Sequence, residues 1–313
     1  MIDRFRLEAI VREAGRIAHS RWPGGGHALA SWDKTPGNPV SEADLEVDRF
    51  LKHELRALLP SAAWLSEETA DDKTRTDSGL IWLVDPIDGT RDFVGGRAGW
   101  AVSVALVSAG RPLFGMLAAP ARGEEWIAVA GQGAWLNGQP LHASTRTQFA
   151  GARVPTHTLP KEDADLAAVE QPNSIALRIA MVADDRADLV ATLRWGFEWD
   201  IAAATLIARE AGAEVSDAFG APLASTSTTR AISACWCAPP RSTPPRSSVW
   251  PNAPSRCGET QTGRPCGRPV IASLQQAQLL RASFTSSWLT GMILISTRRL
   301  SGSLTLSAVL TRR

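Results

Sequence analysis

Two carboxylates that follow an apolar run are the residues of this 313-residue chain best suited to chemistry. The run covers residues 80–84, and Asp85 and Asp88 come directly after it. Five consecutive apolar residues indicate a strand buried on both faces, so the two acids lie close together at its end. Such a pair favours a hard divalent cation like Mg²⁺, which commonly also binds substrate phosphates. Gly89 and Thr90 follow, where backbone N–H groups at a helix start are typical phosphate donors.

Residues 85–90, Asp-Pro-Ile-Asp-Gly-Thr, carry a pattern far more specific than a lone glycine-rich loop. They resemble the signature of the inositol monophosphatase superfamily, the lithium-sensitive, Mg²⁺-dependent phosphomonoesterases. Residues 39–44, 64–68 and 198–203 match further segments of that family in the same order. One acidic cluster alone is more typical of a solvated loop, but four clusters in family order indicate membership. The resemblance covers about residues 1–224.

The resemblance implies a set of ligands for two or three Mg²⁺ ions. It assigns Glu67, Asp85 and the carbonyl of Ile87 to one ion. It assigns Asp85, Asp88 and Asp200 to a second ion. From the residues alone, Asp200 is equally typical of a helix cap, and a capping acid would also point out of the helix end towards a cleft.

Three catalytic residues are also implied by the resemblance: Asp44, Glu67 and Thr90. Asp44 would bond to Thr90 and to water on a third ion shared with Glu67, and Thr90 would orient the attacking water. From the residues alone, Asp44 is the acid of a helix cap that begins at Ser41. Because neighbouring strand residues point to opposite faces, only one of the two glutamates can enter the site. The resemblance selects Glu67, so Glu68 is expected to point away.

Substrate contacts are implied at the loop after the second aspartate and at one later serine. The backbone N–H groups of Gly89, Thr90 and Arg91 would bind phosphate oxygens, and Ser174 would contact the substrate. The superfamily also has a lysine-bearing loop that folds over the site, and Lys34 stands near the matching position.

The residues after the signature threonine separate two branches of the superfamily. Inositol phosphatases usually have Thr-Asn-Phe there, whereas Arg91-Asp92-Phe93 resembles the bisphosphate nucleotidases. The sequence therefore favours hydrolysis of 3′-phosphoadenosine 5′-phosphate to AMP, with inositol 1-phosphate or another sugar phosphate as the alternative substrate. A different class stays open, namely an inactive product of a frameshifted gene.

The elements around these residues indicate an α/β protein with a mostly antiparallel N-terminal sheet. Helical spacing covers residues 4–20 and 41–59, and apolar runs between residues 62 and 136 predict five or six strands. A helix over 174–183, a strand over 187–192 and a helix over 199–211 follow. Because proline lacks an N–H, we expect the chain to leave the sheet at Pro86. The resemblance implies the layered α/β/α/β/α fold of the sugar phosphatases.

The chain is expected to have three parts, of which composition separates only the last. Residues 1–145 are the predicted metal-binding α+β subdomain, and residues 146–224 are a smaller α/β subdomain that lacks its last family strand and helix. Of the 32 acidic residues only Glu259 lies in residues 225–313, which contain arginine but no lysine. This bias is typical of a GC-rich gene read out of frame, so we hypothesise a frameshift near residues 224–235. The alternatives are an arginine-rich arm that binds nucleic acid and a zinc site at Cys235, Cys237, Cys257 and Cys266.

The resemblance implies a small phosphorylated metabolite as the partner. The net charge is +1, which gives no reason to expect nucleic acid as a partner. The chain has no run of about 18 apolar residues and no apolar segment before Ile10, so neither a membrane span nor a signal peptide is expected. We expect a cytoplasmic protein. Because superfamily members are often dimers, the resemblance also implies a homodimer.

Overall fold

The structure is a computed structural model that describes residues 3–36, 38–69, 79–159, 161–192, 196–216, 223, 231–232, 236–238 and 293–296. The four helices predicted from the sequence are present with slightly different ends, together with one short helix after the signature. Within the described ranges the helices are α1 (Arg4–Arg21), α2 (Glu42–Leu58), α3 (Thr90–Val94), α4 (Ile175–Ala183) and α5 (Glu198–Glu210).

A seven-stranded sheet forms the centre of the N-terminal part, after a separate hairpin of β1 (Ser31–Thr35) and β2 (Asn38–Ser41). The sheet strands stand in chain order: β3 (Ala63–Ser66), β4 (Leu80–Asp88), β5 (Ala101–Ser108), β6 (Arg111–Ala119), β7 (Glu124–Val129), β8 (Gly133–Leu136) and β9 (Gln139–Pro140). All neighbours are antiparallel except β3 and β4, which are parallel. The sequence predicted five or six strands because β9, at two residues, is too short for a pattern to show.

The two faces of this sheet bury separate apolar cores. One face packs against α1 and α2, with Leu7, Leu51 and Trp82 fully buried. The other face packs against α4 and α5, with Leu83 and Ile207 fully buried. Trp82 and Leu83 serve opposite cores because side chains alternate along a strand. Helices on both faces of a mostly antiparallel sheet confirm the predicted α/β class.

β4 continues past Pro86 to Asp88, which corrects the expectation that the chain leaves the sheet at the proline. Asp85 pairs with Ser103 and Asp88 pairs with Ala101, so β4 advances three residues while β5 advances two. This β-bulge accommodates a residue that has no N–H for the ladder. Ser103 and Ala101 share one face of β5, and cross-strand partners point the same way, so the bulge turns both acids to one side. Ser103 Oγ donates to a carbonyl of α5 at 3.3 Å, so that side is the one α5 covers.

Short strand pairs make up the remaining regular structure of the described residues. β10 (Arg153–Pro155) and β11 (Ala167–Val169) are parallel, whereas β12 (Leu189–Thr192) with β17 (Ile293–Ser296), β13 (Gly196–Phe197) with β15 (Ala231–Ile232), and β14 (Glu214–Ser216) with β16 (Trp236–Ala238) are antiparallel. The sequence predicted no family strand after residue 224, so the pairings of β15, β16 and β17 differ from that expectation.

The alternatives for the C-terminal part concern residues outside those described. Cys235, Cys257 and Cys266 lie there, as does most of the arginine-rich run. The frameshift hypothesis and the subdomain boundaries at 145 and 224 stay predictions. Among the described residues, none of the helices has the length and apolar character needed to span a membrane.

Candidate active site

The carboxyl ends of β3 and β4 bring the first two acids of the site together. Because these strands are parallel, Ser66 pairs with Val84 and the residues that follow them lie side by side. The backbone N–H of Glu67 donates to the Val84 carbonyl at 3.2 Å, which holds Glu67 beside Asp85. Strand pairing alone therefore places two carboxylates side by side at the carboxyl ends of β3 and β4.

α5 brings a third carboxylate to the same point. Asp200 lies in the first turn of this helix, and the backbone N–H of Phe197 donates to its Oδ2 at 2.9 Å. Carboxylate oxygens of Glu67, Asp85 and Asp200 all lie within 4.8 Å of one another. We call these three residues the acid cluster. Asp200 thus caps its helix and still reaches the other two acids, so the capping and ligand interpretations share one geometry.

Burial and mutual repulsion make the acid cluster a strong site for a cation. Burial raises the pKa of Asp85 well above its ordinary value, and the carboxylate of Glu67 raises it further. The pKa of Asp200 is raised in the same way, first by burial and then by nearby Asp88. A divalent cation offsets this repulsion, and hard cations prefer such oxygen ligands. The residues therefore fit the metal that the resemblance implied.

Asp88 lies outside the acid cluster and bonds to the start of α4. Its Oδ2 accepts from the Ser174 hydroxyl at 2.5 Å and from the Ala176 N–H at 2.7 Å, and Oδ1 lies 3.3 Å from Ile175 N. Burial raises the pKa of Asp88 to about 6, against the opposing effect of the Ser174 bond. Ser174 is itself fully buried and accepts from Leu177 N–H at 2.9 Å. The ligand role of Asp88 and the substrate contact of Ser174 stay predictions.

Asp44 and Thr90 meet as the resemblance implied. Asp44 is buried at the start of α2, where its Oδ2 accepts from the N–H of Ser41 at 2.8 Å and from the Ser41 hydroxyl at 2.5 Å. The hydroxyl oxygen of Thr90 lies 3.4 Å from the other carboxylate oxygen of Asp44 and 3.1 Å from the carbonyl oxygen of Ile87. Burial raises the pKa of Asp44 to about 6. One carboxylate therefore caps α2 and contacts the signature threonine.

The signature glycine is required by both its backbone angle and its surroundings. Gly89 has a φ of +95°, and a Cβ there would lie 2.6 Å from the Gly99 carbonyl oxygen and 2.8 Å from Ser174 N. Only glycine fits such an approach of backbone to backbone. Arg91 follows in α3, is exposed, and accepts a hydrogen bond from the Arg97 guanidinium at its carbonyl (3.3 Å). The phosphate contacts of this segment stay predictions.

Lys34, on the β1–β2 hairpin, reaches the acid cluster. Its Nζ lies 3.1 Å from Glu67 Oε1 and also donates to Glu68. Glu68 was expected to point away from the site, but β3 ends at Ser66, so strand alternation no longer governs the two glutamates. The Glu68 side chain is only 4% exposed, and burial raises its pKa to about 7 against the lowering effect of Lys34. The hairpin therefore contacts both glutamates.

Asp48 is a buried residue near the site that the sequence analysis missed. It accepts hydrogen bonds from the hydroxyls of Ser66 and, at 2.7 Å, Thr69, which flank the two glutamates. Asp48 follows Asp44 by four residues on α2, so the two acids share one face of the helix. That spacing was the available signal. Asp48 thus fixes the segment that delivers Glu67 to the acid cluster.

A comparison with known protein families decides the broader assignment. The sequence model of the inositol monophosphatase family matches residues 3–244. The chain belongs to the inositol monophosphatase family. The match extends past residue 224, where the resemblance in the sequence had been taken to end, and it includes β15 and β16.

Three curated relatives of this family member carry different names. "Glucose-1-phosphate thymidylyltransferase" of Streptomyces griseus is 35% identical, with 67% of this chain and 86% of the relative covered. "Inositol-1-monophosphatase" of Rhizobium meliloti is 33% identical (60% and 75% covered), and "3'(2'),5'-bisphosphate nucleotidase CysQ" of Escherichia coli is 31% identical (61% and 80% covered). The extragenic suppressor protein SuhB of Bartonella henselae has a similar structure, with a TM-score of 0.62, 29% identity, and 69% and 88% covered.

Membership confirms the predicted fold class and enzyme class. Structural similarity to the SuhB protein confirms the layered α/β fold. Members of the family are metal-dependent phosphatases that hydrolyse phosphomonoesters of small molecules, and this chain is such a hydrolase. The acid cluster is the group of described residues that could hold the metal.

Proposed function

We propose that this family member hydrolyses 3′-phosphoadenosine 5′-phosphate to AMP with two or three Mg²⁺ ions. The observation that carries the metal-dependent part is the acid cluster, whose three carboxylates converge within 4.8 Å. The substrate is supported by Arg91-Asp92-Phe93, which resembles the bisphosphate nucleotidases, and by the similarity to the nucleotidase of Escherichia coli. A homodimer in the cytoplasm remains part of the proposal.

The metal ligands in this proposal are the acid cluster, Asp88 and the carbonyl of Ile87. Metal bound there would neutralise the phosphate charge and lower the pKa of a bound water, which makes that water a stronger nucleophile. Asp88 shares a side of the sheet with Asp85, so it stands on the correct face for a second ion. The carbonyl oxygen of Ile87 lies 3.1 Å from the Thr90 hydroxyl and has two lone pairs, so a bond from Thr90 would still leave one for a metal.

Thr90 and Asp44 supply the orientation of the attacking water in this proposal. The Thr90 hydroxyl has a single proton, which it gives to either Ile87 O or Asp44 Oδ1, and its lone pairs can accept a proton of the water. Asp44 is held rigidly by Ser41, so the hydroxyl is held in turn. Gly89 makes the close turn that presents the backbone of this segment to a phosphate.

The test is phosphate release by the purified 313-residue chain from 3′-phosphoadenosine 5′-phosphate and inositol 1-phosphate, with and without Mg²⁺. We expect metal-dependent release, faster from the nucleotide, and its loss in Asp88→Asn and Asp85→Asn. Asp165→Asn, an exposed acid remote in sequence from the signature, is the matched control and should keep full activity. Equal release without any metal would contradict the proposed mechanism.

Inositol 1-phosphate is the second candidate substrate because the Rhizobium meliloti relative is named an inositol-1-monophosphatase. Faster release from inositol 1-phosphate in the same assay would reverse the substrate assignment and leave the phosphatase mechanism intact.

The inactive-product alternative has its own test. All proposed ligands precede residue 217, so the frameshift hypothesis is compatible with activity. A folded chain that melts cooperatively but releases no phosphate from any sugar or nucleotide monoester would support the inactive alternative. Resequencing of the gene would decide the frameshift: an alternate frame that encodes a family-like strand and helix supports it, and its absence contradicts it.

A further inference from the structure

Two of the exposed large apolar side chains belong to segments that contact the acid cluster. The described residues include four such side chains: Phe5, Trp32, Leu113 and Phe197, with 82%, 46%, 39% and 44% of their surface exposed. Phe5 and Leu113 belong to α1 and β6. Trp32 and Phe197 belong to the two segments that contact the acid cluster directly. Exposed apolar residues scattered singly over a surface are ordinary, but two of them on the segments that border one site indicate a role there.

Phe197 is tied to the acid cluster through its own backbone. Its N–H donates to Asp200 Oδ2 at 2.9 Å, and Asp200 Oδ lies within 4.8 Å of carboxylate oxygens of Glu67 and Asp85. The backbone of Phe197 therefore adjoins the acid cluster, where the proposed function puts the phosphate.

The ring of Phe197 has one covered face and one free face. It stacks on the indole of Trp199, with ring centroids 4.6 Å apart and ring planes inclined by only 11°. Trp199 is 6% exposed, so it is a buried support that fixes the orientation of Phe197. Because the Trp199 side covers one face, the exposed 44% of Phe197 belongs to the opposite face and the ring edge.

The hairpin provides a second exposed aromatic ring. Trp32 lies on β1, two residues before Lys34, whose ammonium contacts Glu67. The hairpin thus approaches the acid cluster from the Glu67 side, whereas Phe197 approaches it from the Asp200 side. Each of these two exposed rings therefore belongs to a segment that contacts the acid cluster.

We propose that Phe197, supported by Trp199, is a specificity-determining residue on which the purine base of the substrate stacks while its phosphate lies at the acid cluster. This inference rests on the proposed function and deepens it. Stacking on an aromatic ring stabilises bound nucleobases and is tolerant of their exact identity. Inositol has no π face and gains less from such a ring than a nucleobase does, so Phe197 discriminates between the two candidate substrates.

The test compares kcat/KM of Phe197→Leu for two substrates. This variant keeps the backbone N–H that caps Asp200, so the acid cluster stays intact. We expect a fall of about tenfold for 3′-phosphoadenosine 5′-phosphate, a change of less than about twofold for inositol 1-phosphate, and recovery of the nucleotide rate in Phe197→Trp. Phe5→Leu, the same change at an exposed phenylalanine of α1, is the matched control and should match the wild type on both substrates.

Three results would overturn the inference. An equal fall on both substrates would show that Phe197 acts through Asp200, and an unchanged nucleotide rate would show that the base does not touch the ring. A wild-type chain that hydrolyses only inositol 1-phosphate would refute the base-stacking role and leave the phosphatase proposal standing. If neither substrate is hydrolysed, the proposed function fails, and the affinity of AMP measured by calorimetry still tests the ring: equal Kd values for wild type and Phe197→Leu refute it, and weaker binding to the variant supports it.

Discussion

Lys34 Nζ lies 3.1 Å from Glu67 Oε1, so an ammonium group already contacts a carboxylate of the acid cluster. The same ammonium donates to the carboxylate of buried Glu68, which anchors the hairpin at this edge of the site. A divalent cation that binds Glu67 therefore encounters a neighbouring positive charge. We therefore expect the hairpin and a bound metal to compete for one carboxylate.

Replacement of that lysine should strengthen metal binding. We expect Lys34→Met to bind Mg²⁺ roughly tenfold more tightly, because the substitution removes a positive charge close to the bound ion. Titration calorimetry of the apo protein measures this directly. Lys34→Arg keeps the charge and should stay near the wild type, and Lys52→Met, a lysine of α2, controls for the change in net charge. Unchanged or weaker binding by Lys34→Met would contradict the competition.

Loss of Asp48 should loosen the segment that carries the two glutamates. Asp48→Ala leaves the hydroxyls of Ser66 and Thr69 without their buried acceptor, so we expect a loss of about 2 kcal/mol in the free energy of unfolding. We also expect weaker Mg²⁺ binding, which urea unfolding alone would not report. Asp165→Asn serves as the acid-loss control. A stability loss with unchanged Mg²⁺ affinity would show that Asp48 supports the fold but does not position Glu67.

The signature glycine offers a matched pair of variants. Gly26 has a φ of +86°, and a Cβ added there would meet nothing within 4 Å, so Gly26→Ala isolates the backbone cost, about 1 kcal/mol. Gly89→Ala adds contacts of 2.6 and 2.8 Å with backbone atoms that cannot rotate away. We expect it to lose roughly 3 kcal/mol or more in the free energy of unfolding. Similar losses in both variants would show that the segment around Gly89 relaxes easily.

Asp188 should make the stability depend on acid pH. Burial alone would raise its pKa, but hydrogen bonds from Arg153 at 2.8 Å and 2.9 Å outweigh burial and hold the pKa below the ordinary value of 3.8. Because the folded-state pKa is the lower one, the stabilisation is complete above pH 3.8 and is lost as the pH falls through the folded-state pKa. Arg146 and Ser144 face the same carboxylate.

The measurement is urea unfolding of the wild type and Asp188→Asn at neutral and at acid pH. We expect the variant to be less stable by about 2 kcal/mol at pH 7. This difference should shrink as the pH falls below 3.8, where the wild-type carboxylate takes up its proton. Because the other titrating groups are the same in both proteins, their contributions cancel in the difference in unfolding free energy. If the difference in unfolding free energy stays constant across pH, the substitution acts through packing and not through the charge of Asp188.

Local signals explain which parts of this structure could be predicted. The apolar run of β4, the Ser41 cap before Asp44 and the turn at Gly89 all act within a few residues, and the sequence shows them directly. The partners of Asp88 lie at the start of α4, and those of Asp48 lie at the end of β3 and just after it, so no local pattern contains them. The side to which Asp88 points depends on its pairing with β5, which the sequence of β4 does not encode by itself.

The bulge at residues 85–88 lets two acids three positions apart share one face of a strand. In a regular strand such residues point to opposite faces, and Asp88 would turn towards Trp82 and Ile87, into the apolar core under α1 and α2. Deletion of Pro86 would leave the two acids two positions apart, and a regular strand also directs such residues to one face. The shared face therefore survives the loss of one residue together with the bulge, whereas the full-length segment needs the bulge to keep both acids at the site.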